Sequence, residues 1–157
     1  MPQQLPLTAQ WCFKPQLCIA LEVARSAEQQ RLGLMQRPPL PPLRGMWFPF
    51  ETPRPLRFWM LHTLAPLDMI FVRGDTVVSI QPRVPVCPGL PCPSYGPRQL
   101  ADGVVELAAG EAERLGIKTG DPAQFSTIPL PDVHGNVTVS YRLPPGLDSS
   151  ARVVCRR

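Results

Sequence analysis

The sequence predicts a mostly β domain with two short helices, and three observations support this fold class. The chain has 157 residues, of which 44% are hydrophobic and 18% are charged, as is typical of a globular protein with one core. It contains 22 prolines, about three times the ordinary share, and proline interrupts long helices. The apolar segments are short and separated by turn residues, so the strands are expected to pair mostly as antiparallel hairpins.

The first half of the chain is predicted to place one helix between short strands. Ser26 and Gln29 have the spacing of a capping box, which predicts a helix from about residue 27 to residue 36. Pro38 and Pro39 prevent this helix from continuing. The strands predicted in this half cover residues 17–23, 45–50 and 56–63.

The second half begins with a predicted hairpin. Gly74 and Asp75 suit a two-residue turn between strands at 67–73 and 76–81. Gly110 to Leu115 is expected to form a short helix that ends at Gly116 in a left-handed conformation. The other predicted segments are a proline-rich loop at 82–99, a strand at 103–108, and two added strands at 137–141 and 151–155.

Charge and composition exclude several classes of protein. The net charge of +4 is scattered along the chain, and no motif interleaves aromatic and basic residues, so no nucleic-acid partner is expected. No apolar run approaches the ~20 residues of a membrane span. The first ten residues lack the pattern of a signal peptide, which predicts a cytoplasmic protein. Without a cluster of histidine and cysteine ligands, neither a metal nor a cofactor is expected.

The five cysteines leave two interpretations open. Cys12 and Cys18 flank a possible turn, and Cys87 and Cys92 bracket a stiff Pro-Gly-Leu-Pro segment, so each pair is within reach of a disulfide. Cys155 has no obvious partner. In a cytosolic protein the thiols would instead stay reduced.

Four motifs resemble the DUF192 family, and they occur in the family's order. They are Arg31-x-Gly33-Leu34-Met35-x-Arg37, Gly45-Met46-Trp47-Phe48-x-Phe50, Phe58-Trp59-Met60 with Pro66-Leu67-Asp68, and Val104-Val105-Glu106-Leu107 followed by Gly116 and Gly120-Asp121. The resemblance covers residues 17–125 and sets apart an N-terminal extension, 1–16, and a C-terminal extension, 126–157. It implies a prokaryotic, small β-barrel-like domain with helices packed outside. It also implies no agreed activity, and members of the family are often exported.

Two residues depart from the pattern of that family. His62 stands where the family usually has asparagine, so any role of that asparagine is in doubt here. Pro122 stands where the last strand of the family normally begins, and proline cannot donate a hydrogen bond to a neighbouring strand. The last strand is therefore expected to be displaced.

Asp68 and Glu106 are carboxylates inside apolar segments, and a buried carboxylate needs a partner. If strands 56–63 and 67–73 form a hairpin, His62 lies opposite Asp68, and a loop longer by one residue would place Thr63 there instead. In a structural interpretation, Asp68 accepts hydrogen bonds from loop backbone or from an arginine. In a functional interpretation, the two carboxylates meet one arginine in a cleft; the candidates are Arg31, Arg37 and Arg57.

The preferred functional hypothesis is a non-enzymatic binding or accessory domain with an aromatic and acidic groove. Its expected ligand is a small molecule, a sugar or a peptide. The alternatives are a small hydrolase or isomerase that uses Asp68 and Glu106 as acid and base, and a structural domain that contacts partners through its proline-rich loop at 82–97. The candidate site residues are Arg31, Arg37, Trp47, Phe58, Trp59, His62, Thr63, Asp68 and Glu106.

Overall fold

The computed structural model describes residues 1–128, which form nine strands and two short helices. The helices are α1 (Ala27–Leu32) and α2 (Glu111–Leu115). The strands are β1 (Leu7–Lys14), β2 (Leu17–Val23), β3 (Arg44–Arg54), β4 (Phe58–Trp59), β5 (Leu67–Arg73), β6 (Thr76–Val84), β7 (Ser94–Tyr95), β8 (Ala101–Ala108) and β9 (Phe125–Thr127). The predicted β-rich class with two short helices is confirmed. None of these helices could cross a membrane.

Seven of the strands form one mixed sheet, in the order β6-β5-β8-β3-β2-β1-β9. The β2–β3 pair is parallel and the other neighbours are antiparallel, while β4 and β7 form a separate two-stranded sheet. The sheet is not closed into the expected barrel, because the edge strands β6 and β9 are not neighbours. Residues 120–123 instead bond to the start of β6 before the chain reaches β9. Pro122 makes only an isolated bridge, and the last strand begins at Phe125.

Side chains on the two faces of this sheet form two separate cores. The first core lies under α2 and includes Trp11, Ile70, Val105, Leu107 and Leu115. The second core lies on the opposite face and includes Met46, Phe48, Met60, Met69, Phe71 and Val104. Because side chains alternate along a strand, neighbouring residues of β5 and β8 belong to different cores.

Local sequence signals produce several of these elements as predicted. The Ser26 and Gln29 side chains each bond to the other's backbone, which completes the capping box of α1. Gly74 has φ +60° in the turn that joins β5 to β6. Gly116 ends α2 with φ 70° and donates to the carbonyl of Glu113. The first helix is shorter than expected, because Gly33 takes a non-helical conformation and ends it at Leu32.

The predicted hairpin between strands 56–63 and 67–73 is wrong. The strand β4 has only two residues, and its partner is β7. Strand β5 has no edge left for β4, because β6 and β8 pair with its two sides. Residues 7–14, within the predicted N-terminal extension, form β1 of the main sheet with Trp11 fully buried. The strands predicted at 137–141 and 151–155 lie outside the described residues.

Both cysteine pairs form disulfide bonds. Cys12–Cys18 joins β1 to β2 with a Cα–Cα distance of 4.0 Å. Cys87–Cys92 closes the proline-rich loop with a Cα–Cα distance of 5.9 Å. Disulfides are typical of oxidising compartments and are rare in a reducing cytosol. Cys155 lies beyond residue 128.

Candidate functional site

A small cleft opens at the edge of the second core. One side of the cleft is formed by α1 and the turn that follows it, and the other side is formed by the segment 58–63. The centres of water molecules can occupy about 40 Å³ of this cleft. That space is enough for a few waters or for one small chemical group. The cleft is lined by residues 30–35, Phe48, Phe58, Trp59, Thr63 and Glu106.

Glu106 lies on β8, on the face of the second core, and is only 4% exposed. Its neighbours across the sheet are Met46 on β3 and Met69 on β5, and both are fully buried. Burial raises the pKa of Glu106 to about 8, and no hydrogen bond or charge among residues 1–128 opposes that effect. The carboxyl group is therefore mostly protonated at pH 7 and has no protein partner within the described chain.

Asp68 is buried on the other face of the sheet, where three backbone amides bind it. Its Oδ1 accepts from the amides of Arg83 at 2.8 Å and Gly110 at 3.0 Å, and its Oδ2 accepts from Ala112 at 2.9 Å. These bonds connect β5 to β6 and to the first turn of α2. The geometry makes Asp68 a structural acceptor, and His62 is not among its partners.

The two carboxylates are not brought together. Asp68 pairs in register with Leu107, and its neighbour Met69 pairs with Glu106. Because consecutive side chains point to opposite faces, Asp68 faces the first core and Glu106 faces the second. The sheet separates them, so the acid and base pair of the alternative hypothesis does not share one cleft.

Of the arginines considered for the site, only Arg31 lines the cleft. It lies at the rim, where two of its nitrogens bond to the Glu28 carboxylate at 2.9 and 2.7 Å, and both side chains are exposed. Arg37 instead forms a nearly buried ion pair with Glu22 at 2.8 Å. Arg57 donates to the backbone carbonyls of residues 94 and 96.

The aromatic candidates also separate into two places. Phe58 is half-buried in the cleft wall and packs edge-to-face on Phe48, with ring centroids 5.2 Å apart. Trp59 is 45% exposed at the mouth. Trp47 lies on the face of the first core, stacked on Phe125 at 4.3 Å, and its Nε1 has no hydrogen-bond partner among residues 1–128. Trp47 is therefore not part of the cleft.

His62 is exposed and acts through its backbone. Its φ of 54° lies in the left-handed region, which asparagine and histidine enter more readily than most residues. Its amide donates to the carbonyl of Cys87 at 3.1 Å, and its carbonyl accepts from the amide of Gln36 at 2.8 Å. The asparagine usual in the family suits this backbone conformation. The next residue, Thr63, lines the cleft.

Replacing His62 by asparagine is expected to raise the free energy of unfolding by about 0.5 kcal/mol, because asparagine adopts the left-handed conformation at lower cost. Replacing it by valine is expected to lower that free energy by about 1–2 kcal/mol. Urea unfolding of both variants measures the difference. Equal stability of the asparagine and valine variants would contradict a backbone role.

Sequence reasoning missed the wall that the end of α1 contributes. Gln30 fixes this wall through bonds from its side-chain amide to the carbonyls of Ala24 and Pro49, at 3.1 and 3.0 Å. A Cβ at Gly33 would lie 3.4 Å from the Phe48 ring, so the chain approaches that ring closely. The capping box indicated the helix, and Arg31, Gly33 and Met35 belong to the first family motif. That motif was the feature of the sequence that could have predicted this wall of the cleft.

Comparison with known proteins identifies relatives of this chain. The DUF192 family model, described as "Uncharacterized ACR", matches residues 11–125. A crystal structure of a Sinorhizobium meliloti 1021 protein, provisionally described as a transcription regulator, is 29% identical with a TM-score of 0.63, over 76% of this chain and 92% of that one. A Novosphingobium aromaticivorans DSM 12444 protein of unknown function is 31% identical with a TM-score of 0.65, over 74% of this chain and 83% of that one. The comparison with curated proteins gives no match.

Proposed function

This chain belongs to the DUF192 family, and we propose that it is a small-ligand-binding module whose cleft receives a polar group of the ligand at Glu106. One observation carries the proposal: Glu106 is only 4% exposed, its carboxyl group lines the cleft among apolar side chains, and no hydrogen bond or charge among residues 1–128 stabilises the ionised group. A polar group in apolar surroundings costs free energy unless it gains a hydrogen-bond partner. A ligand in the cleft would supply the missing partner.

The surroundings of Glu106 suit a small amphipathic ligand. Leu34, Met35, Phe48 and Phe58 give the cleft apolar walls, and Trp59 offers an exposed aromatic surface at its mouth. A pocket of this kind, apolar with one oriented polar group, is typical of small-molecule sites. The limited volume favours one functional group of a ligand, such as one end of a small metabolite or of a peptide side chain, over a whole sugar ring.

The alternative of acid and base catalysis is less well supported. The only described ionisable groups that line the cleft are Glu106 and Arg31, and Arg31 is already paired with Glu28. General acid and base chemistry needs a second group within hydrogen-bonding reach of the substrate. Asp68 cannot supply it from the opposite face of the sheet.

The description of the Sinorhizobium relative as a transcription regulator does not alter this proposal. Among residues 1–128, the helices have only six and five residues. A helix that reads the major groove normally presents several side chains along its length to base edges. Neither α1 nor α2 offers such a surface.

The proposal predicts that a small polar probe binds at the cleft. We expect 1-propanol, propionamide or n-propylamine to shift the amide signals of Phe58 and Thr63 and the indole signal of Trp59 in a ¹H–¹⁵N spectrum. Replacing Glu106 by leucine should weaken the binding by roughly tenfold, because the paired polar group is lost.

Glu51→Gln is the matched control, because Glu51 is exposed on β3 and does not line the cleft. This variant should bind each probe as the unchanged protein does. The proposal fails if none of the probes shifts the cleft signals. It also fails if Glu106→Leu binds every probe as tightly as the unchanged protein.

A further inference from the structure

We infer that the group received at Glu106 is a primary ammonium, so that Glu106 serves as the buried counter-ion of a small cationic ligand. This inference rests on the proposed function, because it names the class of ligand for the same cleft. It follows from the charges and the side-chain types that surround the carboxyl group.

The first step is the charge balance of the cleft. Arg31 is the described cation on its lining, and its bond to Glu28 cancels that charge at the exposed rim. Glu106 is then the only described ionisable group inside the cleft without an opposite charge. An anionic ligand would keep Glu106 in its neutral form and gain no opposite charge, whereas a cation would favour the ionised carboxylate and gain a counter-ion.

The second step is the chemistry of the walls. Phe58 and Trp59 line the cleft, and a cation gains energy over the face of an aromatic ring. A hydrogen bond between an ammonium group and a carboxylate is roughly twice as strong as one between neutral groups. Alcohols and amides would make only the neutral kind with a protonated Glu106. The aromatic walls of the cleft and the Glu106 carboxyl group therefore both favour an ammonium ligand.

The third step concerns the proton of Glu106. Burial raises its pKa to about 8, so in the empty cleft at pH 7 most molecules carry that proton. An alkylammonium enters already protonated, since its pKa resembles that of lysine, near 10.4. As it binds, the O–H bond of Glu106 breaks, the proton passes to the buffer, and N–H···O bonds form to the carboxylate. Binding at pH 7 thus releases a proton from most molecules.

Among residues 1–128, no other charged group beside the cleft accounts for the proton that is released on binding. The residues that face Glu106 are Met46 from β3 and Met69 from β5, and they are uncharged. From α1 the charged groups are Arg31 and its partner Glu28 at the rim. His62, on the segment that follows β4, is exposed and does not line the cleft.

The test follows the ¹³C signal of the Glu106 carboxyl carbon through a pH titration. n-Propylamine at saturation should lower the apparent pKa of Glu106 by at least one unit, and the isosteric 1-propanol should leave it unchanged. At pH 7, n-propylamine should bind at least tenfold more tightly than 1-propanol. In Glu106→Gln that preference should disappear, whereas Glu51→Gln should retain it.

The possible outcomes separate this inference from the proposed function. If 1-propanol binds at the cleft as tightly as n-propylamine and the pKa stays near 8, the ammonium inference is overturned while the binding function stands. If neither probe shifts the cleft signals, both fail. With amine binding established, tighter binding of Nα-acetyl-lysine amide than of n-propylamine assigns the group to a lysine side chain. The reverse order assigns it to a free small amine.

Discussion

Replacing Asp68 by alanine is expected to lower the free energy of unfolding by about 4 kcal/mol, because the change leaves one buried and two partly buried backbone amides without an acceptor. A buried donor that loses its partner costs about 1–3 kcal/mol. The three donors belong to Arg83 and to the start of α2 at Gly110 and Ala112. Loss of the carboxylate would therefore loosen the contact of β5 with both β6 and α2.

Urea unfolding followed by circular dichroism measures this effect, and Asp102→Ala provides the matched control. The Asp102 carboxylate also accepts from a backbone amide, that of Gly74 at 3.0 and 3.1 Å, but at an exposed turn. Its removal is expected to cost less than about 1 kcal/mol, because water can satisfy the freed amide. If Asp68→Ala fails to fold, Asp68→Asn keeps one acceptor oxygen and should lose about 2 kcal/mol. An Asp68→Ala variant that loses no more than Asp102→Ala would contradict the structural role.

The parts of the fold that could be predicted are those that neighbouring residues specify. The capping box at Ser26, the turn at Gly74 and the left-handed end at Gly116 each depend on a few adjacent residues, and each forms as expected. Such signals act over a single turn, so they do not require knowledge of the distant parts of the chain.

The pairing of strands could not be predicted in the same way. All of residues 67–72 are buried, since β5 lies between two strands and has a core on each face. An apolar run of this kind lacks the alternation that assigns a side chain to a face. The sequence therefore identified Asp68 and Glu106 as unusual, but could not reveal that they face opposite sides.

Only part of the candidate site could be predicted, because the sequence did not reveal which face of the sheet each side chain occupies. Arg31, Phe58, Trp59, Thr63 and Glu106 do line one cleft. Trp47 and Asp68 face the other side of the sheet, and Arg37 binds Glu22. Whether a motif residue reaches the cleft depends on the register of β3, β5 and β8, which long-range contacts fix.

Replacing Glu106 by glutamine is expected to remove a large dependence of stability on pH. The pKa of Glu106 is about 8 in the folded protein, against an ordinary value of 4.5. Between these pH values the folded state holds a proton that the unfolded chain has released. The free energy of unfolding therefore falls as the pH rises, and the loss is complete above about pH 8. A shift of this size corresponds to roughly 3–5 kcal/mol.

Thermal unfolding between pH 5 and pH 9 measures this dependence in the unchanged protein, in Glu106→Gln and in the control Glu51→Gln. Glutamine does not titrate and has nearly the same shape, so Glu106→Gln should match the unchanged protein within about 1 kcal/mol at pH 5, where the carboxyl group is neutral. At pH 9 it should be the more stable of the two, because it has no charge to bury. Glu51→Gln should follow the unchanged protein throughout, since Glu51 is exposed. Parallel curves for the unchanged protein and Glu106→Gln would show that the carboxyl group is solvated or paired, and would remove the reason for placing a ligand beside it.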